Sequence, residues 1–251
     1  MRTPAAVLAD LLRSDAARPR VTFYEDTPGP TSGERVELSA RVLANWVSKA
    51  ANALQDEWDV APGSLVRLDL PPHWRALYWA LAVWSVGGCV VVAGEDAGDS
   101  GDRGPDTAGD TDVDLLVTDD PARSAAAGVP AVLVTLAALA RSAPDAVAAG
   151  VVDEARELAT YADQFAAWEE PSPTDPALRV GGEAAAYDAV VPDPAWPAQT
   201  RLHLRTVSLA EALTSALAVW AVDGSLVLAR GPVPADGEQA RIDAEGVTRQ
   251  A

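Results

Sequence analysis

The phrase ALAVWSVGGCVVVA at residues 80–93 returns as ALAVWAVDGSLVLA at residues 216–229, offset by 136. Each copy runs an apolar helical stretch through a glycine-bearing stop into a run of aliphatic residues, the order of a helix feeding a buried strand. Each is preceded by a strand-like segment, SLVRLDL (64–70) and RLHLRT (201–206). Such strand–helix–strand units must stack or pair to bury their faces, so the repeat predicts two similar layers or two halves of one large sheet. Arg67-Leu68-Asp69-Leu70 aligns with Arg201-Leu202-His203-Leu204, which places two extra residues before the second helix.

The remaining segments extend this alternation. Residues 3–16 carry apolar side chains at helical spacing. VTFYED (21–26) and RVELS (35–39) alternate across the turn TPGPTSGE and read as a hairpin. Ser39 is placed to cap a long helix with Val42, Leu43, Trp46, Val47, Ala50 and Leu54 on one face. VDLLVT (113–118), a short helix near 120–127 and AVLVT (131–135) add another strand–helix–strand step. Continuous apolar strands joined by helices point to a mostly parallel sheet covered on both faces. The Gly- and Asp-rich stretch 94–112 is read as a mobile surface loop. Residues 144–200 are broken by prolines and glycines and are read as connecting structure with one or two short strands. PADGEQARIDAEGV is read as a short exposed helix. The division expected is a first α/β subdomain at 1–143, an irregular connection at 144–198, and a second repeat copy at 199–251 that packs into a shared or second sheet.

Composition narrows the partners. A net charge of −18 opposes nucleic-acid phosphates and anionic membranes, so neither is an expected partner. No apolar run is long enough to cross a bilayer and no secretory leader opens the chain, so a cytoplasmic location is expected. Cys89 is the sole cysteine, which excludes an intrachain disulfide, and its place in an apolar strand predicts a buried, inert thiol. Two histidines without ligand spacing give no expected metal site. The aspartates Asp96, Asp99, Asp102, Asp106, Asp110, Asp112 and Asp114 lack the spacing of a calcium loop and read as a solvated charge run.

The passage from Glu34 to Val92 resembles the opening of the adenylate-forming superfamily: acyl-CoA synthetases, nonribosomal peptide adenylation domains and luciferases. There a hairpin, a long helix, a turn, a buried strand, a proline-bearing loop and a helix ending at glycine follow one another. VDLLVTDDP (113–121) resembles the next strand and turn, and residues 202–232 resemble the passage after that family's phosphate loop. The match covers 20–135 and 199–245, and more narrowly the chain is similar to a short actinobacterial group of relatives of these enzymes. The resemblance implies an α/β fold of two similar, mostly parallel sheet layers with covering helices, like a truncated N-terminal domain.

The departures bear on activity. The resemblance implies a Ser/Thr/Gly-rich phosphate loop ending in Pro-Lys-Gly between the two copies, yet 144–200 holds no lysine and no such run. Thr31-Ser32-Gly33 begins like the loop but continues Glu-Arg-Val-Glu inside the hairpin turn. The aromatic-His pair of the acyl pocket is replaced by Arg205-Thr206-Val207-Ser208. The adenine- and metal-binding motifs and the lid lysine find no counterpart, and Lys49, the only lysine, is expected on the exposed face of the long helix. Losing several points of charge stabilisation together removes the basis for adenylation by this chain alone, so no catalytic residue and no cofactor is assigned.

Ligands of open α/β sheets favour the carboxyl edge of the strands, which singles out His73 and Trp74 after Pro71-Pro72, together with Arg205, as the candidate ligand-binding residues. His203 is read as a structural strand residue. Trp74, Trp79 and Trp84 belong to a helix apolar almost all round and read as buried core. The expectation is a non-catalytic relative that binds a partner or a small acyl or nucleotide ligand. The alternatives are a residual ligand-binding, enzyme-like module and one half of a split synthetase. Accordingly, the expected protein partners are a second copy in a homodimer or a completing subunit.

Overall fold

A computed structural model of the protein describes residues 2–94, 112–232 and 235–251. The loop expected at 94–112, with the charge run through Asp110, lies almost wholly outside the described residues.

Thr3 opens helix α1 (Pro4–Asp15) by accepting the Ala6 amide, with proline at the first helical position. The hairpin is present as β1 (Pro19–Glu25) and β2 (Arg35–Ser39), antiparallel. Ser39 caps α2 (Ala40–Trp58) as expected, and the helix ends at Asp59 in the left-handed conformation. The first repeat copy follows as β3 (Leu65–Asp69), α3 (Trp74–Ser85) and β4 (Cys89–Val92). Then come β5 (Leu115–Thr118), α4 (Pro121–Ala126) and β6 (Ala131–Leu133). The interval expected to be irregular supplies β7 (Val151–Asp153), α5 (Glu154–Glu157), a 3-10 turn (Leu158–Thr160), β8 (Pro176–Val180) and β9 (Glu183–Ala186). The second copy is β10 (Arg201–Arg205), α6 (Leu209–Ala221) and β11 (Ser225–Arg230), followed by α7 (Ala235–Ala244) and β12 (Arg249–Gln250).

These strands form two sheets, in the orders β12-β10-β11-β1-β2 and β7-β6-β5-β3-β4-β8-β9. All neighbours are parallel except the hairpins β1–β2 and β8–β9. The sheets cut across the sequence division at 143 and 199. The N-terminal hairpin joins the second copy in the five-stranded sheet, and 144–198 adds three strands to the seven-stranded one, more than the one or two expected. Long crossovers are what parallel pairing requires, so strands distant in sequence become neighbours.

The repeat extends beyond the copied phrase. Leu65 lies opposite Cys89 on the adjacent strand, and Arg201 lies opposite Ser225. Strand β4 then pairs with β8, which carries the antiparallel β9 beyond it, as β11 pairs with β1, which carries β2. On the other side β5 flanks β3 as β12 flanks β10, with Val66 opposite Leu115 and Leu202 opposite Arg249. From β3 to β4 and from β10 to β11 the offset is therefore a constant 136, and Asp69 matches Arg205. The two extra residues expected before the second helix are a misalignment. A slip of two keeps every side chain on its own face, so alternation alone cannot detect it; the hydrogen-bond register does.

Helices α1, α2, α3 and α6 pack against one another, and α3 touches β3 and β4 of one sheet and β1 of the other. Enclosed from both sides, α3 is buried at every position from Trp74 to Trp84. This explains a helix apolar all round. Each large side chain there contributes about 1.5–3 kcal/mol by leaving water.

Candidate functional site

In the five-stranded sheet the chain leaves β10 through α6 to β11 and returns through α7 to β12 on the far side of β10. In doubly wound sheets the carboxyl ends of the strands beside such a reversal are the usual ligand position. Arg205 ends β10 there. Alternation puts Arg201, His203 and Arg205 on one face of that sheet and Leu202 and Leu204 on the core face. The polar face meets the segment from α7 to Glu245. Arg205 Nη2 and Nε reach Asp26 Oδ2 and Glu238 Oε1, each at 3.0 Å, while its Nη1 donates to the Gly231 carbonyl. Asp26 also receives both Nη groups of Arg241, at 2.6 and 2.8 Å. Burial works against the charge on Asp26, but the hydrogen bonds from Arg241 and Arg205 outweigh it and hold the carboxyl below its ordinary value. The Arg205 charge is thus balanced within the chain.

Beside this network lies an open hollow of about 510 Å³ lined by Arg205, Thr206, Val207, Gly231 and Pro232. Gly231 has a φ of +84°, and a Cβ there would fall 2.4 Å from the Thr27 amide nitrogen, so glycine lets the two strand ends approach. His73 and Trp74 do not line the hollow. His73 is 1% exposed and Trp74 3%. His73 caps α3 with Nδ1 accepting the Arg75 amide at 3.2 Å, and its ring meets Phe23 edge-on at 4.4 Å. Burial, then the charges of Arg75 and Arg230, push its pKa well down and keep the imidazole neutral. Trp74 stacks beneath the Arg75 guanidinium, 4.4 Å from it, and its indole N–H has no acceptor in the described chain. Arg75 in turn pairs with Glu154 at 2.9 Å inside the protein, where Tyr78 also donates to the Glu154 carboxylate. Sequence reasoning missed this pair because its two residues lie on elements 79 positions apart.

At the equivalent strand ends of the seven-stranded sheet, those of β3 and β5, Asp69 has Arg123 Nε 2.8 Å away and Thr118 closes β5. His203 is buried in the five-stranded sheet as expected, its Nε2 3.4 Å from Glu238 Oε1, and burial lowers its pKa. Cys89 is fully buried with its thiol pushed up to about 11, consistent with an inert residue. Among the described residues no group of three or more His, Cys, Asp or Glu side chains could hold a metal.

Lys49 departs from expectation. Rather than lying free on the helix surface, it donates to the carbonyls of Ala159 and Tyr161 and pairs with Asp163 at 2.8 Å. Within residues 144–200, where the resemblance implied a phosphate loop, β8 turns into β9 through Gly181 and Gly182.

Across its full length the chain matches a Mycobacterium tuberculosis protein described as "TIGR03089 family protein", with 33% identity over 262 residues and 99% of each covered. The chain belongs to the TIGR03089 family. No family model matches the sequence. Solved structures similar to this TIGR03089 chain are adenylation and acyl-CoA synthetase proteins. Klebsiella oxytoca NpsA in complex with 3-hydroxyanthranilyl-AMSN gives a TM-score of 0.69 at 16% identity, covering 100% of this chain and 47% of that one. A Brucella canis acyl-CoA synthetase gives 0.68 at 16% identity, covering 99% and 46%. The N-terminal domain of FACL13 from Mycobacterium tuberculosis gives 0.70 at 14% identity, covering 100% and 62%. At these identities the likeness establishes the fold, that of the N-terminal part of adenylate-forming enzymes. The TIGR03089 chain spans about half the length of the first two. Among the described residues no helix is long and apolar enough to cross a membrane.

Proposed function

We propose that the protein is a non-catalytic relative of the acyl-CoA synthetases, working in the cytoplasm of an actinobacterium by binding a partner or small ligand. The observation that carries this reading is the engagement of the sole lysine. Lys49 is held by backbone carbonyls of residues 159–161, and residues 144–200 contain no lysine and no Ser/Thr/Gly run to wrap a triphosphate. A site without donors for the developing charge loses orders of magnitude in rate. Pyrophosphate exchange with ATP and a panel of carboxylic acids is the test. No exchange is expected, and acid-dependent exchange by the purified chain overturns the reading.

The hollow beside Arg205 favours a small ligand at the carboxyl edge, with His73 and Trp74 as buried supports behind the strand ends. A thermal-shift screen with nucleotides, CoA esters and fatty acids should give stabilisation that Arg205→Met abolishes. A homodimer, or a second subunit completing a synthetase, would instead appear as a higher native mass or as exchange activity on mixing.

A further inference from the structure

The polar face of β10 sets a buried histidine against a balanced cluster of charges. Arg205 and Arg241 share Asp26, and Arg205 Nε also reaches Glu238 Oε1 at 3.0 Å. The same Glu238 oxygen lies 3.4 Å from His203 Nε2, an atom that makes no hydrogen bond in the described chain. His203 is 4% exposed. Two residues of strand separate it from Arg205 on one face, a distance of about 7 Å. The two guanidinium groups face two carboxylates, so the cluster carries no net charge while the imidazole is neutral.

The groups around His203 decide what a proton does there. Glu238 and Arg241 come from α7, Asp26 follows β1, and Arg201 and Arg205 share its strand. Arg201 is paired with Glu245, which also binds Arg35 and Tyr24. The residues opposite His203, Val227 on β11 and Gln250 on β12, do not titrate. Burial holds the imidazole pKa below its ordinary value; Glu238 and Asp26 oppose this, while Arg205 and Arg241 add to it. A second proton makes both ring nitrogens donors, so Nε2 gains Glu238 as a partner and the cluster gains one positive charge. Arg205 carries that surplus to the hollow of about 510 Å³ that it lines.

We propose that the hollow beside Arg205 takes the anionic oxygens of a small ligand together with one proton from solvent, which His203 holds. This deepens the small-ligand reading above and rests on it, adding the charge of the ligand and its coupling to pH. With His203 neutral, Asp26 and Glu238 already balance Arg205 and Arg241, and an anion meets no surplus charge. With His203 charged, an oxyanion at Arg205 supplies the missing counter-charge. Carboxylate and phosphate groups share this chemistry. Linkage makes the effect mutual: the bound anion raises the proton affinity of His203 by the factor by which the proton raises that of the anion.

Sulfate, standing for a phosphate group, and trifluoroacetate, standing for a carboxylate, are the probes, because neither titrates where histidine does. Calorimetry at fixed ionic strength should show at least one binding at least about threefold more tightly at about pH 5 than at about pH 8, with proton uptake. The tighter of the two identifies the head group. The bound anion should also raise the titration midpoint of the His203 ring resonance, assigned by its loss in His203→Gln. His203→Gln should remove the gain in acid, and Arg205→Met should abolish binding. Should His203→Gln fold poorly, Glu238→Gln serves. It makes the cluster positive without a proton, so it should bind the anion at about pH 8 as tightly as the parent does at about pH 5. Equal affinity at both pH values, an acid gain that survives in His203→Gln, unchanged affinity in Glu238→Gln, or no anion binding overturns the proposal. Such failure leaves standing any ligand from the thermal-shift screen at neutral pH whose effect Arg205→Met abolishes. Only the absence of every such ligand sinks the small-ligand reading.

Discussion

Trp84 and Trp220 occupy the same place in the two sheets. Each indole N–H donates to the backbone of the next strand, Trp84 to the Ala177 carbonyl at 2.7 Å and Trp220 to the Arg20 carbonyl at 3.1 Å. In both cases the carbonyl belongs to the strand that continues into an antiparallel hairpin. Trp84→Phe and Trp220→Phe keep most of the apolar volume and remove this bond, so each should destabilise by about 1–3 kcal/mol. Urea unfolding checks it, and a change under about 0.5 kcal/mol in both would show that the bonds do not hold the added strands.

The turns after the two helices solve one backbone problem differently. Gly87 takes the left-handed conformation at φ +86°, and its counterpart Asp223 does so at φ +56°. Asp223 is kept there by Arg20, fully buried, whose Nη2 lies 2.7 Å from the carboxylate while Nη1 donates to the Asp223 and Gly224 carbonyls. Asp223→Gly relaxes the backbone but leaves that guanidinium buried without its counter-charge. The substitution should therefore destabilise by about 3 kcal/mol, the partial exposure of Asp223 keeping it at the low end for a broken buried pair. A melting temperature equal to or above that of the parent protein would refute this.

The Arg75–Glu154 pair ties α3 to α5, which follows edge strand β7 of the seven-stranded sheet. Glu154→Gln leaves Arg75 charged and uncompensated, and about 3–5 kcal/mol of stability should go with it. The double replacement Arg75→Met with Glu154→Leu removes both charges and should recover most of that loss. A double-mutant cycle of Arg75→Met, Glu154→Leu and the pair in chemical denaturation measures the coupling. Additive single effects would mean that the two side chains do not act as a pair.

Both histidines are held below their ordinary pKa, chiefly by burial. The unfolded chain takes their protons near pH 6.5 while the folded one refuses them, so stability is full above that pH and falls as pH drops toward the folded values. Each contributes a slope of up to about 1.4 kcal/mol per pH unit in that window. His73→Asn keeps a capping acceptor for α3 without a titrating ring, so the pH 5–7 stability profile should flatten by His73's share. An unchanged profile would show that His73 titrates alike in both states.

Most elements are legible from local chemistry. Ser39 caps its helix, Thr31 to Gly33 is a turn, and alternation in Arg201–Arg205 separates a polar from an apolar face. The apolar wrap of Trp74–Trp84 announces a helix enclosed on all sides, and the two copies announce twin modules. The candidate site is legible only as a position along the strands: Arg205 does meet a hollow, while the anions that balance it, Asp26 and Glu238, lie far off in sequence. The bonds from Lys49 and Asn52 to residues 159–164 give no periodic signal, because they join side chains of a helix to the backbone of a segment without strand structure.

The sequence by itself determined where the two copies and the first 58 residues are helical or extended, and that one module is written twice. Those properties follow from side-chain spacing and backbone preference within a dozen residues. The tertiary structure alone decided which strands share a sheet, the elements of residues 144–198, the constant offset between the copies, and the engagement of Lys49 with residues 159–163. Parallel pairing and salt links join groups tens to hundreds of residues apart, and a slip of two leaves every face of a strand unchanged, so only the folded contacts distinguish one arrangement from another.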